Sequence, residues 1–346
     1  MNNRLLVVRN DKLGDFMLAW PAFAIIKHYW PEVQLSVLVP RYTLPAAELC
    51  PWIDGIVVDE RESARELAQK LREHEFDAML TLFSSGRVAL AGWLARIPYR
   101  LAPATKLAQL LYNHRIIQRR SRSQKPEYAY NIDMSYRMLA DLGRANGSQL
   151  TVETDGDWLP SEVKRPLLCL DKETGALKTS FCDVHGLDMN ARLVFIHPGS
   201  GGSANNLAPV QYAKLANAIR SEGVAFVISA GPGEEGIAHE VASMISAPHT
   251  LYPSSSGIAQ FARTLQLADL FISGSTGPMH LAAALDRPTA TFFPRHRSAT
   301  PLRWQPLNQP GKRLAFVPPD SAMADDVSAI DMESAAQRIA MFLGSH

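Results

Sequence analysis

The sequence predicts an α/β protein of two lobes, each built on a mostly parallel sheet, and three observations predict it. Apolar runs alternate with helix-period segments along the chain, the pattern of successive strand–helix units. The 346 residues exceed what one core usually holds, and a hydrophobic fraction of 47% is enough to fill two. Finally, two strand-to-helix turns carry polar groups. One is Arg9-Asn-Asp-Lys-Leu-Gly14-Asp15, directly after Leu5-Leu-Val-Val8; the other is Ser275-Thr-Gly-Pro-Met-His280, directly after Leu270-Phe-Ile-Ser273. Such turns lie at the carboxyl ends of parallel strands, where ligands bind, so each lobe is expected to supply half a site with a cleft between them.

In the first lobe, strand 4–9 is followed by helix 15–29, in which Pro21 predicts a kink. Strand 34–39, helix 42–50, strand 55–58, helix 62–74, strand 77–82 and helix 86–96 repeat the unit, and a helix over Tyr128–Leu142 stops at Gly143. Between 146 and 166 Asn-Gly, Asp-Gly, Pro160 and Pro166 break the periodicity and place a linker. The second lobe reads helix 172–185, strand 192–197, helix 209–221, strand 224–230, helices 234–245 and 256–266, strand 269–273, helix 277–285 and strand 288–293. Pro209 at a first helical position and Gly223 just past the end bracket one of these helices. A last helix, Asp326–Leu343, is expected to pack back across the lobes. The predicted organisation is a first domain over 1–165, a second over 166–325 and a helical tail over 326–346.

A formal net charge of +1 excludes nucleic-acid binding through global charge. Cys50, Cys169 and Cys182 are few, odd in number and without metal-ligand spacing, so they are expected to be reduced and buried, as in the cytoplasm. The chain starts in a strand, and the apolar stretch from Phe16 to Ile26 is too short to span a bilayer and holds Pro21; neither a signal peptide nor a transmembrane span is expected.

At the first turn, Asp15 stands at a helix start behind Gly14, whose missing side chain lets a ligand approach. The carboxylate either takes a proton from a substrate hydroxyl or caps the helix. Arg9 and Lys12 either steer an anion or are solvated. In the second lobe, His197-Pro-Gly199-Ser200-Gly-Gly-Ser203 and Ser275-Thr276-Gly277 offer backbone N–H groups and hydroxyls of the kind that hold a diphosphate. Glu234, with Glu235 beside it, either accepts from ribose hydroxyls or is a first-turn helix acid. His280 lies one turn from Thr276 and either faces the phosphates or is a core histidine. No Walker A loop is present.

Taken together, Arg9 through Leu13-Gly14-Asp15 to Pro21-Ala22, then His197-Pro-Gly-Ser, then Ser273-Gly-Ser-Thr-Gly-Pro-Met-His-Leu-Ala-Ala-Ala-Leu285 with Arg287-Pro-Thr289 and Phe292-Phe-Pro294, resemble glycosyltransferase family 9, the bacterial lipopolysaccharide heptosyltransferases. The resemblance spans roughly the whole chain. It implies a GT-B fold of two Rossmann-like lobes with mostly parallel sheets facing across a cleft, the first binding acceptor and the second ADP-heptose. It also implies an inverting transfer with Asp15 as general base and neither a metal nor another cofactor. Two positions depart from the family: Asn205-Asn206-Leu-Ala-Pro209 stands where a Lys-x-Trp-Pro-like stretch supplies a cation, and Ser275 stands for an Asp. Arg295, His296, Arg297 and Arg303 are either replacement cations or a solvated loop.

The most basic run, His114 to Lys125 with Arg115, Arg119, Arg120 and Arg122, suits an acidic Kdo or phosphorylated core sugar and the anionic inner face of the inner membrane that carries it. Its alternative is a solvated loop. Two other readings share the architecture: a nucleotide-sugar 2-epimerase, which needs further acid/base groups, and a non-catalytic nucleotide-sugar binder, which would leave Asp15 idle.

Overall fold

Strand β1 (Arg4–Val8) carries apolar side chains on both faces, and four of its five residues are buried, because helices cover both faces of a parallel sheet. The computed structural model describes residues 2–105, 107–147, 149–170, 174–202, 205–219 and 223–344. After β1 the first unit runs α1 (Leu13–Met17), α2 (Trp20–Tyr29), β2 (Gln34–Pro40), α3 (Leu44–Glu48), β3 (Gly55–Asp59), α4 (Ala64–Glu73), β4 (Ala78–Thr81), α5 (Gly86–Leu94), β5 (Tyr99–Pro103), β6 (His114–Ile116) and α6 (Glu127–Asp141). The six parallel strands are ordered β3-β2-β1-β4-β5-β6. Leu5 of β1 is in register with Leu35 on one side and Ala78 on the other, so the strand order reverses between β1 and β4. Loops leaving the two strands at such a reversal diverge, and a ligand crevice opens at their carboxyl ends.

The second unit runs α7 (Thr174–His185), β7 (Arg192–His197), α8 (Pro209–Ala218), β8 (Val224–Ala230), α9 (Glu235–Ser243), β9 (His249–Pro253), α10 (Gly257–Leu265), β10 (Leu270–Gly274), α11 (Gly277–Ala284), β11 (Thr289–Phe292), β12 (Arg313–Phe316) and α12 (Met332–Gly344). Its parallel order, β12-β11-β10-β7-β8-β9, repeats that of the first sheet, with the reversal between β7 and β10. The boundary between the two compact units falls between Lys164 and Arg165.

Amphipathic helices close each core. In the first unit Leu67 and Leu71 of α4 and Val88 and Ala91 of α5 pack on Leu6, Val8, Leu38 and Met79. Helix α4 starts with a reciprocal capping box, the Glu66 N–H donating to Ser63 Oγ at 3.3 Å and the Ser63 N–H to Glu66 Oε2 at 2.9 Å, a device worth about 1 kcal/mol.

Several expectations are corrected. The helix expected over 15–29 is two, α1 and α2. Pro21 sits in the first turn of α2, where its missing N–H costs nothing, so it begins a helix instead of kinking one. Strands β5, β6, β9 and β12 were not expected; β6 lies inside the run read as a loop. Thr151 and Val163 are buried, and Thr151 donates to Asp133 of α6, so much of the stretch read as linker is built into the first unit. Helix α12, expected against the first lobe, has its apolar face, Ala335, Ala336, Ile339 and Leu343, in the core of the second unit with Tyr212 and Leu215 of α8. Cys50 and Cys182 are buried, but Cys169 is exposed. Lys172, Ser203 and Ser221, in the helix and loop readings above, lie outside the described residues.

Candidate active site

The turn after β1 is organised by Arg9, which is 3% exposed, donates hydrogen bonds to three side chains and pairs with a fourth through charge alone. Its Nε faces Asp11 Oδ1 at 2.9 Å, Nη1 reaches Glu127 Oε1 at 3.0 Å and Asn131 Oδ1 at 3.4 Å, and Nη2 bonds Asp15 Oδ1. Burial works against the guanidinium charge, yet Asp11, Asp15 and Glu127 more than offset it and hold its pKa above the usual arginine value. The helix N-cap is Lys12, which makes no side-chain cap, and Asp15 stands in the first turn with its carboxylate turned to Arg9. Burial pushes Asp11 up to about 7, against the pull of Arg9 and with help from Asp15. Glu127 Oε1 also accepts from Arg120, whose guanidinium lies 5.7 Å from the Tyr130 ring centre. Asn131 anchors the cluster to the end of α1 by donating to the Leu18 carbonyl at 3.1 Å. The Tyr42 hydroxyl donates to the Asp11 carbonyl at the rim.

Of the basic run, Arg115, Arg119 and Arg122 are exposed, whereas Arg120 is an ion-pair partner inside the Arg9 cluster. Gly14 is half-buried in α1, next to Asp15. Lys12 is exposed.

In the second unit three turns carry the expected residues. After β10, Thr276 is the N-cap of α11 and makes no side-chain cap, and His280 lies one turn along the same helix. Both are buried, and neither Thr276 Oγ1 nor His280 Nδ1 has a protein partner. Burial lowers the His280 pKa to about 3, so the ring is neutral. Half-buried Ser275 and Gly277 flank Thr276. After β8, Glu234 does not stand free for a ribose: its carboxylate accepts the Gly201 N–H at 2.7 Å and the Gly231 N–H at 3.2 Å and lies 3.4 Å from His197 Nε2. The His197 hydrogen bond is the largest cause that lowers its pKa to about 2. His197 is fixed in turn by Ser229, Nδ1 to Oγ at 3.1 Å. Gly199 lies against it: a Cβ there would stand 2.0 Å from the Glu234 carboxylate, which would have to move aside. Ser200 lies in the same loop.

Asn205 donates to the Asp325 carbonyl at 3.4 Å, so its amide is used for loop contact. Its neighbour Asn206 ties the loop together, donating to the Pro198 carbonyl at 2.6 Å and accepting from the Leu207 N–H at 3.0 Å and from the Tyr212 hydroxyl. Arg295 is consumed by Asp320 and the carbonyls of Pro319 and Ala322, and Arg303 lies 5.5 Å from the Trp304 ring centre; His296 bonds Ser298. Arg295 is therefore not a spare cation. Among the described residues there is no cluster of three His, Cys, Asp or Glu side chains able to hold a metal, and no helix long and apolar enough to cross a membrane.

Glu127, Asn131 and Asn206 are the participants that sequence reasoning missed. The first two start a helix more than a hundred residues from Arg9, and no local pattern joins them. Asn206 was visible only as part of a departure from a family stretch.

Two parallel sheets of this strand order in one chain, each with polar turns at its reversal point, define the GT-B class of the solved heptosyltransferase structures. The model of glycosyltransferase family 9 (heptosyltransferase) matches residues 64–315, and the chain belongs to that family. It is 40% identical over 348 residues to a Haemophilus influenzae protein named "Putative glycosyltransferase", covering 98% of this chain and 96% of the other. It is 21% identical over 307 residues to lipopolysaccharide heptosyltransferase 2 of Salmonella typhimurium, covering 84% and 82%. The fold matches the structure of E. coli ADP-heptose LPS heptosyltransferase II with a TM-score of 0.75 at 18% identity over 99% of both chains. The protein is a glycosyltransferase, and the epimerase and binding-only readings lapse.

Proposed function

We propose that this glycosyltransferase moves a heptose from ADP-heptose to a Kdo or heptose hydroxyl of the lipopolysaccharide inner core, inverting the anomeric centre without a metal. One observation carries the reading: Thr276 and His280, two buried polar side chains without protein partners, stand one turn apart at the open N-terminus of α11. An unmet buried polar group costs about 1–3 kcal/mol, so a pair at the positive end of a helix is the signature of a site that an anion completes. A donor diphosphate is such an anion.

Asp15 acts as the base. Arg9 holds Oδ1, and Oδ2 meets the acceptor hydroxyl. The acceptor oxygen bonds to the anomeric carbon as its proton passes to Asp15, and the bond from that carbon to the diphosphate oxygen breaks on the opposite face, its electron pair leaving with the nucleotide. Thr276, His280 and the N–H groups at the start of α11 meet the charge that develops on the leaving group. Ser200 and Ser275 add hydroxyls, and Glu234 is released from the glycine N–H groups when it binds the ribose. Arg115, Arg119 and Arg122 offer cations to acidic sugars, and the lipid-borne acceptor brings the enzyme to the cytoplasmic face of the inner membrane.

Purified protein with ADP-heptose and a Kdo-bearing lipid A acceptor should give heptosylated product and ADP, insensitive to chelator; no transfer, or a strict divalent-metal requirement, sinks the reading. A specific observation favours a second donor: Asn205 and Asn206 replace the family's cation and serve the loop itself. A thermal-shift panel of ADP, UDP, GDP and their sugars decides between them, since a ligand of the native state raises the melting temperature by mass action.

A further inference from the structure

Between Asp77 and Glu127 the chain contains seven Arg and two Lys and no Asp or Glu, in a protein whose overall formal charge is only +1. Four of these cations are used internally: Arg87 pairs with Asp59, Arg120 with Glu127 and Lys125 with Asp133, and Arg100 donates to the carbonyls of Ile97 and Leu111. Arg115, Arg119 and Arg122 stay on the surface.

The same stretch exposes apolar side chains in a pattern that its backbone explains. Residues 107–111 form a 3-10 turn, in which positions three apart eclipse. Ala108 and Leu111 therefore pack inward with Ala89 of α5, Ala102 of β5 and Tyr112, while Leu107, 85% exposed, and Leu110, 72% exposed, project together from the other side. Next in the chain, β6 is the edge strand of the sheet, and its alternation continues beyond its end. Gln118 turns inward to the Tyr130 carbonyl and Arg120 to Glu127, whereas Arg115, Ile117 and Arg119 are exposed, Ile117 by 82%. On α5, which packs beside the turn, Leu90 and Trp93 are exposed three residues apart. Single exposed aliphatics are ordinary. Here aliphatic tips recur with unpaired-face arginines on adjoining elements, and no acid interrupts them.

We infer that this face of the first unit docks on an anionic lipid bilayer, with Leu107, Leu110 and Ile117 entering the interface and Arg115, Arg119 and Arg122 meeting lipid phosphates. Apolar tips supply the insertion, and each arginine adds attraction to a negative leaflet that salt screens. The inference rests on the lipid-borne acceptor of the proposed function for its purpose, but its test does not depend on transfer.

The test is co-sedimentation with vesicles of phosphatidylethanolamine and phosphatidylglycerol against vesicles of phosphatidylcholine alone. Wild type is expected to bind the first and not the second. Replacing Leu107, Leu110 and Ile117 together with Ser should lower partitioning on the order of tenfold or more at an unchanged melting temperature. Arg115→Ser, Arg119→Ser and Arg122→Ser together should lower it on the order of a hundredfold at low salt, about fivefold per charge; Arg120 is left in place because it holds Glu127. Wild type that stays in the supernatant, binds both vesicles equally, or binds as before after the apolar replacements overturns the inference. Transfer to a soluble core-oligosaccharide acceptor by the apolar variant should equal wild type. Vesicle binding without any transfer refutes the proposed function and leaves the docking surface standing; transfer without vesicle binding does the reverse.

Discussion

The reversal points of the two sheets share a topology and differ in how their buried polar groups are held. Between β1 and β4 the groups form an ion network: Arg9 engages Asp11, Asp15, Glu127 and Asn131, and Glu127 engages Arg120 as well, although Arg9 Nε and Asp11 Oδ1 face each other without a hydrogen bond. Between β7 and β10 the buried Thr276 hydroxyl and His280 ring have no protein partner, although the neighbouring Gly201 N–H is already met by Glu234. Under the proposed mechanism the difference corresponds to two chemical tasks. A group that takes a proton needs a fixed position, and a buried ion network gives it one. A site that receives an anion must keep donors in reserve, because a donor already satisfied has nothing left for charge that appears later.

The sharpest way to break the ion-paired half is Arg9→Met. Removing one partner from a buried ionic cluster leaves carboxylates uncompensated, and the expected loss is about 3–5 kcal/mol of folding stability, read as a lower urea midpoint at unchanged slope. A wild-type midpoint would show that the cluster is solvated and organises nothing. Asp15→Asn is the gentler cut. The amide oxygen can still accept from Arg9, so melting temperature and nucleotide affinity should hold while turnover falls on the order of a hundredfold or more. Turnover within about threefold of wild type would leave Asp15 as a charge partner of Arg9 and no base.

How much of this was legible depended on range. The strands with buried runs, such as β1, β7, β8 and β10, are strongly apolar and were readable as strands; β6, β9 and β12 lie at sheet edges, short and half-exposed, and carry little pattern. Gly14-Asp15 and Ser275-Thr276-Gly277 were readable because each is a local strand-to-helix turn. The partners of Arg9 were not: Glu127 and Asn131 come 118 and 122 residues later, on a helix whose sequence shows only its apolar period. Glu234 was placed near the nucleotide, but its bonds to Gly201 and Gly231 join two loops and needed the fold to appear.

The turn before α11 predicts an unusual pairing of effects for Thr276→Ala. Nucleotide binding should weaken by roughly 1–2 kcal/mol, the scale of a hydrogen bond to a charged group. Stability of the unliganded protein should stay level or rise, since the variant removes a buried hydroxyl that nothing meets. Unchanged affinity would move the phosphate site elsewhere, and a large loss of stability would mean that the hydroxyl is bonded in solution.

His280 gives the smallest effect and the most specific one, because its two consequences have opposite signs. Burial holds its folded pKa near about 3, whereas in the unfolded chain the ring titrates at its ordinary value near 6.5. Below that value the unfolded state takes up a proton that the folded state refuses, so this residue's contribution to stability falls as pH drops from about 6.5 toward about 3, with a slope approaching one proton. A bound diphosphate reverses the preference, since its negative charge favours the imidazolium. Nucleotide affinity should therefore rise a few-fold between about pH 7.5 and 5.5, with proton uptake detectable by calorimetry in buffers of different ionisation enthalpy. In His280→Asn both pH dependences should flatten. If affinity follows the same pH curve in the variant as in wild type, the ring is a packing element of α11 and the anion is held by Thr276 and the helix N-terminus without it.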